Sequence, residues 1–467
     1  MTNLPWLKVD GDRLVDESGR TVVLAGVGLG GWMNMENFIS GFPFIESRMR
    51  RELLAVIGRE AYDAYFEAFY TDFFDAADAA HVASLGLNSV RIPISYKHFE
   101  DDDRPFELKE EGFARLDRVI RLLADAGVYS IIDLHALPGS QNHHWHSDNP
   151  AHQPAFWTHR HFQDRAVHLW EALADRYKDE PAVAGYNPVN EPADEDGVRL
   201  LLFYERLEKA VRAVDARHVL FLDGNTYSTD FSVFSATPEP LPNAVYTAHD
   251  YALPGIAADG RYPGVTRGKH FDRGVLEETF LRRTEYMRET GTPIWVGEFG
   301  PVYPPDQGDH SWRYQILADQ LDIYAEHGAS WALWTYKDVG LQGLVHVRPE
   351  SAYLQRIAPV LEHKKRLGAD SWGGSDAEVR HLLEPIEKLL ATEFPDYDPY
   401  PWGAARHTAT VVRNVLFAEP LTQEWAARFE GVDAAEAAEL AHDFRFDRST
   451  ERTQLSTLLR GHLGVTD

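Results

Sequence analysis

Two glutamates close apolar runs where packing alone gives no reason for a charge: Glu191 in YNPVNEPAD and Glu298 in PIWVGEFGP. Each follows a stretch suited to a buried strand, and an unpaired carboxylate there costs several kcal/mol. One such glutamate is readily explained as half of an ion pair or as a rim residue. Two of them, on strands facing each other across one mouth, point to chemistry. Other polar residues end similar runs: Arg91 in LGLNSVRIPISY, His135 in IIDLHALPGSQN, Asn190 just before Glu191, His249 and Tyr251 after VYTA, and Trp334 in ALWTYKD.

Two carboxylates across a cleft are what glycoside hydrolysis needs, one protonated to assist the departing oxygen and one ionised to attack the anomeric carbon. Arg91 and Tyr251 are suited to keeping Glu298 ionised as nucleophile. His249 is suited to tuning Glu191 as acid and then base. Asn190 can hold the sugar 2-hydroxyl, a hydrogen bond that tightens in the transition state. Trp334 offers a flat apolar face to a pyranose, with His135 as a polar contact. Trp32, Asn34 and Glu36, in the loop after the first strand, are further subsite candidates.

The elements that must carry these residues are legible in the pattern. Short runs rich in Val, Ile and aromatics predict strands at Val22–Val27, Ser89–Pro93, Tyr129–Leu134, Val183–Val189, Val219–Asp223, Ala244–His249, Ile294–Glu298 and Ser330–Trp334. Several are apolar on both faces, as parallel strands covered by helices should be. Amphipathic stretches such as Ala114–Ala126, Phe162–Tyr177, Leu200–Val214, Leu276–Glu289 and Trp312–His327 lie between them, with Gly127 and Gly328 placed as left-handed caps. Strands alternating with helices eight times predict an α/β fold, a (β/α)8 TIM barrel, whose chemistry sits at the C-terminal strand ends. The segment VDGDRLVDESGRTVVLAG predicts a hairpin closing the barrel bottom.

The boundaries expected from this pattern are a barrel with its hairpin over 1–360 and a helical C-terminal region over 361–467. Helices are predicted there at Glu378–Ala391, Thr410–Phe417, Thr422–Phe429 and Ala434–Phe446, with no strand. The expectation is an appendage packed on the barrel; the alternative is a cap that supplies Trp402, Tyr397 or Tyr400 to a binding site.

The 467 residues, 44% hydrophobic and 25% charged, are ordinary for a globular chain. Lys and Arg total 46 against 73 Asp and Glu, a formal charge of −27. So acidic a surface repels phosphate backbones, which argues against nucleic acid or an anionic membrane as partner. With no cysteine, disulfides, thiolate nucleophiles and Cys-ligated metal sites are excluded. No basic segment followed by an apolar run opens the chain, and no apolar stretch nears the roughly 20 residues of a membrane span, so a soluble, cytoplasmic protein is expected. The oligomeric state is not legible.

With these residues in place, the sequence resembles glycoside hydrolase family 5, in the clan of retaining barrel glycosidases. The family's NEP motif matches Asn190-Glu191-Pro192 and its seventh-strand glutamate matches Glu298 in GEFG. Its arginine, histidine, H-x-Y pair and tryptophan match Arg91, His135, His249 with Tyr251, and Trp334. The resemblance implies a retaining mechanism with Glu191 as acid/base and Glu298 as nucleophile, and no cofactor. The segments GVGLGGWMNMENF, VRIPISYKHFE and LHALPGSQN are similar to the exo-acting β-1,3-glucanase branch, which implies removal of terminal sugars, of β-glucoside or β-mannoside type, from oligosaccharides or glycosides. An endo-acting cleft, a transglycosylase with Trp145, Trp157, Tyr227 or Phe231 lining its acceptor site, and a non-catalytic glycan-binding barrel are the alternatives. The family's LHGAPGSQNG pattern is altered here to LHALPGSQNHHWHSDN.

Within that altered segment, His143, His144, His146 and Asp148 have ligand-like spacing; a polar loop contacting sugar or solvent is the preferred reading, and no metal is expected. GVGLGG, with Gly26, Gly28, Gly30 and Gly31, lacks the G-x-G-x-x-G spacing of a dinucleotide loop.

Overall fold

The computed structural model describes residues 4–236, 239–369 and 372–465. Eight parallel strands close into a barrel: β1 Ala25–Gly28, β2 Ser89–Ser95, β3 Tyr129–Ala136, β4 Val183–Asn187, β5 Val219–Asp223, β6 Ala244–His249, β7 Ile294–Phe299 and β8 Ser330–Leu333. Each strand pairs with its sequence neighbours, and β8 returns to pair with β1. The strands are almost wholly buried, which follows from apolar residues on both faces.

The barrel is filled near its bottom by Ile131, Val219, Phe221, Val245 and Trp295, and Leu7 and Leu14 join that cluster from below. These two leucines belong to the antiparallel hairpin Leu7–Asp10 with Arg13–Asp16, in the place the sequence pattern assigned to it.

Helices cover the outside: α1 Glu46–Asp72, α2 Ala76–Ser84, α3 Glu110–Asp125, α4 Arg160–Tyr177, α5 Val198–Val214, α6 Arg273–Arg283, α7 Ser311–Glu326 and α8 Ala352–Leu367. Helix α3 buries Phe113, Leu116, Val119, Ile120 and Leu123, a single stripe at helical spacing. Gly127 and Gly328, past the ends of α3 and α7, hold φ of +75° and +63° as caps should. Among the described residues, the β5–β6 connection carries short turns, Asn225–Ser228 and Ser232–Ala236, in place of a full helix. None of the described helices is long and apolar enough to cross a membrane.

Residue 360 falls inside α8, so the expected boundary cuts a continuous helix. The helices beyond are α9 Arg380–Glu393, α10 Gly403–Val411, α11 Ala418–Ala427, α12 Ala434–His442 and α13 Thr453–His462, with a π-turn at Val412–Phe417 joining α10 to α11. Aromatic contacts Phe69–Phe444 and Phe42–Trp425 seat this region on α1 and the β1 loop. One expectation is corrected here. The region does contain a strand, Ser449–Glu451, antiparallel to Val345–Val347. Three residues are too few to show an alternating pattern.

Candidate active site

Arg91 organises the barrel mouth. It is fully buried on β2, and its guanidinium donates to Asn187 Oδ1 at 3.0 Å, Glu298 Oε1 at 2.6 Å and Asn190 Oδ1 at 2.6 Å, with Asp133 Oδ2 at 3.1 Å. A guanidinium that stays charged in such a site is balanced by this ring of acceptors. Burial pushes Asp133 up to about 7, against the pull of Arg91.

Glu298 sits on β7, with its second oxygen accepting the Tyr251 hydroxyl at 2.9 Å. Burial raises its carboxyl to about 7, while Arg91 and the Tyr251 hydroxyl hold it down. Both of these partners favour the charged form.

Glu191 follows β4 with a left-handed backbone, φ +46°. That conformation costs a β-carbon-bearing residue about 1–3 kcal/mol and persists because its surroundings hold it. The Glu191 N–H donates to Asp223 Oδ2 at 2.9 Å, and its carbonyl accepts Asn142 Nδ2 at 3.0 Å. The side chain is turned to two imidazoles: Oε1 lies 2.7 Å from His249 Nδ1, and Oε2 lies 3.2 Å from His146 Nε2. Burial pushes its carboxyl well above the usual range, and the nearby charges of Glu298, Asp223 and Glu36 add to this. One oxygen of Glu191, one of Glu298 and a nitrogen of His249 all lie within 4.8 Å of one another. The same spacing can suit a metal ion, but both Glu298 oxygens are already taken, Oε1 by the Arg91 cation and Oε2 by the Tyr251 hydroxyl.

His135 stands under the cavity with Nδ1 on Asp133 Oδ2 at 2.7 Å and Nε2 3.2 Å from Asn190 Nδ2. Its ring lies parallel to that of Trp334, 5.5 Å away. Two glycines of GVGLGG, Gly28 and Gly30, are explained by this tryptophan. A β-carbon on Gly28 or Gly30 would come within 2.6 Å of the Trp334 ring, so the β1 end must be bare for the indole to lie against it.

A cavity of about 1120 Å³ opens above these groups, lined by Glu36, His135, Glu191, His249, Tyr251, Glu298 and Trp334 among others. Arg91 and Asn190 lie beneath its floor, fully buried and holding the glutamates and His135. Trp32 is a correction. It is fully buried, with its indole N–H donating to the Tyr70 carbonyl at 3.0 Å, and it does not line the cavity. A tryptophan in a strand-end loop has no sequence mark that tells packing against α1 from contact with a ligand. Asn34 likewise turns away, donating to the His146 carbonyl. Trp157 donates to the Gln141 carbonyl, and Phe231 packs in the core.

The appendage expectation is corrected too. The cavity's outer wall is built by the C-terminal region: Trp372, Arg380, Trp402 and Arg406 line it. Trp372 sets its ring edge-on to Tyr251 at 4.8 Å. Tyr400 bonds Thr226 at 2.9 Å, whereas Tyr397 is exposed and away from the cavity. The His143, His144, His146 and Asp148 set does not converge. Asp148 is taken by Lys97 and the Ser47 N–H, while His146 turns to Glu191. Sequence reasoning missed Trp372 as a site residue and had His146 only in a polar loop contacting sugar or solvent, without its contact to Glu191. The one available signal for His146 was the departure of HHWHSDN from the family pattern.

The family model for cellulase, glycosyl hydrolase family 5, matches residues 58–340. The chain belongs to glycoside hydrolase family 5. A β-xylosidase of Phanerodontia chrysosporium is 42% identical over 98% of both chains. A probable glucan 1,3-beta-glucosidase A of Aspergillus fumigatus is 30% identical, covering 69% of this chain and 84% of that relative. Among solved structures, an endogalactoceramidase matches with a TM-score of 0.53 at 20% identity, over 72% of this chain and 75% of that one, a likeness of fold. As a family 5 member the protein is an O-glycoside hydrolase acting on β-linked sugars, and its substrate is a carbohydrate.

Proposed function

We propose that this family 5 enzyme is a retaining exo-β-glycosidase that removes a single terminal sugar, of β-xyloside or β-glucoside type, from a short oligosaccharide or glycoside. The observation that carries this reading is the placement of Glu191 and Glu298 oxygens within 4.8 Å of each other at the mouth. Retaining glycosidases separate their carboxyls by about 5–5.5 Å, whereas inverting ones leave about 6.5–9.5 Å for a water.

The surroundings divide the roles. Glu298, held by the Arg91 cation and the Tyr251 hydroxyl, is the partner that ionises first and attacks the anomeric carbon. Glu191, buried and then crowded by like charges, keeps its proton and delivers it to the glycosidic oxygen as that bond breaks. A glycosyl ester on Glu298 results, and the aglycone leaves as the alcohol. Water then gives a proton to Glu191 and attacks the same carbon, freeing Glu298. Two inversions retain the anomeric configuration.

The exo reading is supported by the outer wall. Trp372 and Trp402, from the C-terminal region, add a wall to the cavity beyond the barrel's own strand ends. The xyloside preference is supported by the relative named β-xylosidase, matched along nearly the whole chain. Glu36, with one oxygen taking the Trp145 indole N–H at 3.3 Å, is placed to bind hydroxyls of the terminal sugar.

The test is hydrolysis of aryl β-xyloside, glucoside, mannoside and galactoside beside xylo-, laminari- and cello-oligosaccharides, with products resolved by length and anomer. Monosaccharide released from the non-reducing end, first as the β-anomer, is expected. Mixed oligomers would end the exo reading, and an α-anomer would end the retaining mechanism.

A further inference from the structure

The C-terminal region stands one ring away from the nucleophile candidate. Trp372 is edge-on to Tyr251, with ring centroids 4.8 Å apart, and Tyr251 donates its hydroxyl to Glu298 Oε2 at 2.9 Å. The indole is fixed from two further sides. Its N–H donates to Gln342 Oε1 at 2.8 Å. Buried Gln342 in turn donates through Nε2 to the Gly300 carbonyl at 3.0 Å, just past Glu298 at the end of β7. Phe38, from the β1 loop, lies against the same ring at 5.7 Å. Phe38, Tyr251 and Trp372 all line the cavity, and ring carbon is what they offer it. Phe38 has no polar atom, the Trp372 N–H is spent on Gln342, and the Tyr251 O–H is spent on Glu298.

Retaining attack sets the anomeric carbon over Glu298. That carbon has two ring neighbours: C2 with its hydroxyl on one side, and the ring oxygen followed by C5 on the other. The carboxylate is two-sided in the same way. Arg91 binds Glu298 Oε1 and Asn190 Oδ1, each at 2.6 Å, so Asn190 marks the Oε1 side and Tyr251 marks the Oε2 side. With the 2-hydroxyl toward Asn190, the ring oxygen and C5 lie toward Tyr251. C5 is where the two candidate sugars differ. A β-xyloside carries only hydrogen there, and a β-glucoside carries a hydroxymethyl group. That group would project toward the ring standing beside Tyr251, which is Trp372. It would have to displace an anchored indole, and its hydroxyl would exchange water for ring carbon.

We propose that Trp372 is the specificity-determining residue for the terminal sugar, closing the C5 side of the site so that β-xylosides are accepted and β-glucosides disfavoured. The inference rests on the reading of Glu298 as the nucleophile of an exo-acting retaining enzyme, and deepens it by naming the sugar. Trp372 lies outside the family match over residues 58–340, so this selectivity is a contribution of the C-terminal region. Its size is bounded by what one methylene and one hydroxyl are worth in an apolar pocket, about ten- to two-hundredfold in kcat/KM.

The experiment measures kcat/KM for the unaltered protein, Trp372→Ala and Trp372→Phe on three aryl β-glycosides that differ only at C5. These are the xyloside, the 6-deoxyglucoside and the glucoside, carrying hydrogen, methyl and hydroxymethyl. The unaltered protein is expected to favour them in that order, the xyloside over the glucoside by about a hundredfold. Trp372→Ala should narrow this ratio by about tenfold or more, mainly through faster glucoside hydrolysis, and Trp372→Phe should narrow it less. A merely structural role would lower all three rates together and leave the ratio unmoved. Either variant suffices if the other does not fold. An unmoved ratio, or an unaltered protein that takes the glucoside as readily as the xyloside or cleaves none of the three, would overturn the proposal. Release of a β-anomeric monosaccharide from any glycoside would then still leave the two-glutamate reading in place. If Glu298→Gln turns over normally, or the first product is the α-anomer, that reading falls and the inference with it.

Discussion

Trp402 stacks on Tyr227 with ring centroids 4.8 Å apart and planes 24° from parallel. The tryptophan precedes α10 and the tyrosine follows β5, so the helical region and the barrel build this face of the cavity jointly. The Arg406 guanidinium lies 3.9 Å over the Trp402 ring and orients it further. Such a face suits the leaving part of a substrate. Trp402→Ala, which removes the partner of Tyr227 and Arg406 and loosens this wall, is expected to raise KM for oligosaccharides and aryl glycosides by about five- to tenfold. The rise for a methyl glycoside should be smaller. Initial rates on the two substrate kinds make the comparison.

Removing each carboxylate separates the two roles. Glu298→Gln is expected to abolish turnover with the fold intact by circular dichroism. Glu191→Ala should lose about 10²–10⁴ in rate on poor leaving groups and far less on dinitrophenyl glycosides. Azide should restore the Ala variant and yield a β-glycosyl azide, identifiable by mass and NMR. Normal turnover in both variants would mean the carboxylates are misassigned.

The Tyr251 hydroxyl donates to Glu298 at 2.9 Å and favours its ionised form. Tyr251→Phe removes that donor, so the carboxyl, already raised to about 7 by burial, rises further. The acidic limb of kcat/KM should move to higher pH by about one unit, which corresponds to about 1.4 kcal/mol. A limb that stayed in place would show that the hydroxyl does not act on the nucleophile.

Stability should carry the opposite mark of the same burial. In the unfolded chain a glutamate titrates near 4.3; in the folded protein burial raises Glu298 to about 7. The folded state thus binds the proton more tightly, and stability falls as pH rises through that window. Glutamine does not titrate. Between pH 4 and pH 8 the unaltered protein should therefore lose about 3–4 kcal/mol that Glu298→Gln does not lose, so the difference in unfolding temperature moves in the variant's favour as pH rises. Calorimetry across this range reads it directly.

Much of the barrel was readable because its strands are buried on both faces. Runs such as Val219–Asp223 and Ala244–His249 match the strands residue for residue. At β1 the apolar pattern begins at Val22 but the strand at Ala25, because Val22 belongs to the approach from the hairpin. Glu100–Arg104 reads as a solvated charge run, yet Glu100 is buried in an ion pair with Arg165 at 2.7 Å. A charge run does not reveal a partner 65 positions away.

By itself the sequence determined the alternation that closes a barrel, and the polar residues at or just past its strand ends, His135, Asn190, Glu191, His249, Tyr251, Glu298 and Trp334, with Arg91 inside β2. Their positions follow from local order, since the C-terminal end of each barrel strand lies at the mouth wherever the strand sits. Only the tertiary structure decided that Trp32 packs against α1 while Trp402 and Trp372 reach the cavity. It also decided that His146 turns to Glu191 while Asp148 turns to Lys97. The physical reason is that these side chains are placed by contacts between segments distant in sequence or by the path of an irregular loop, and neither leaves a periodic trace along the chain.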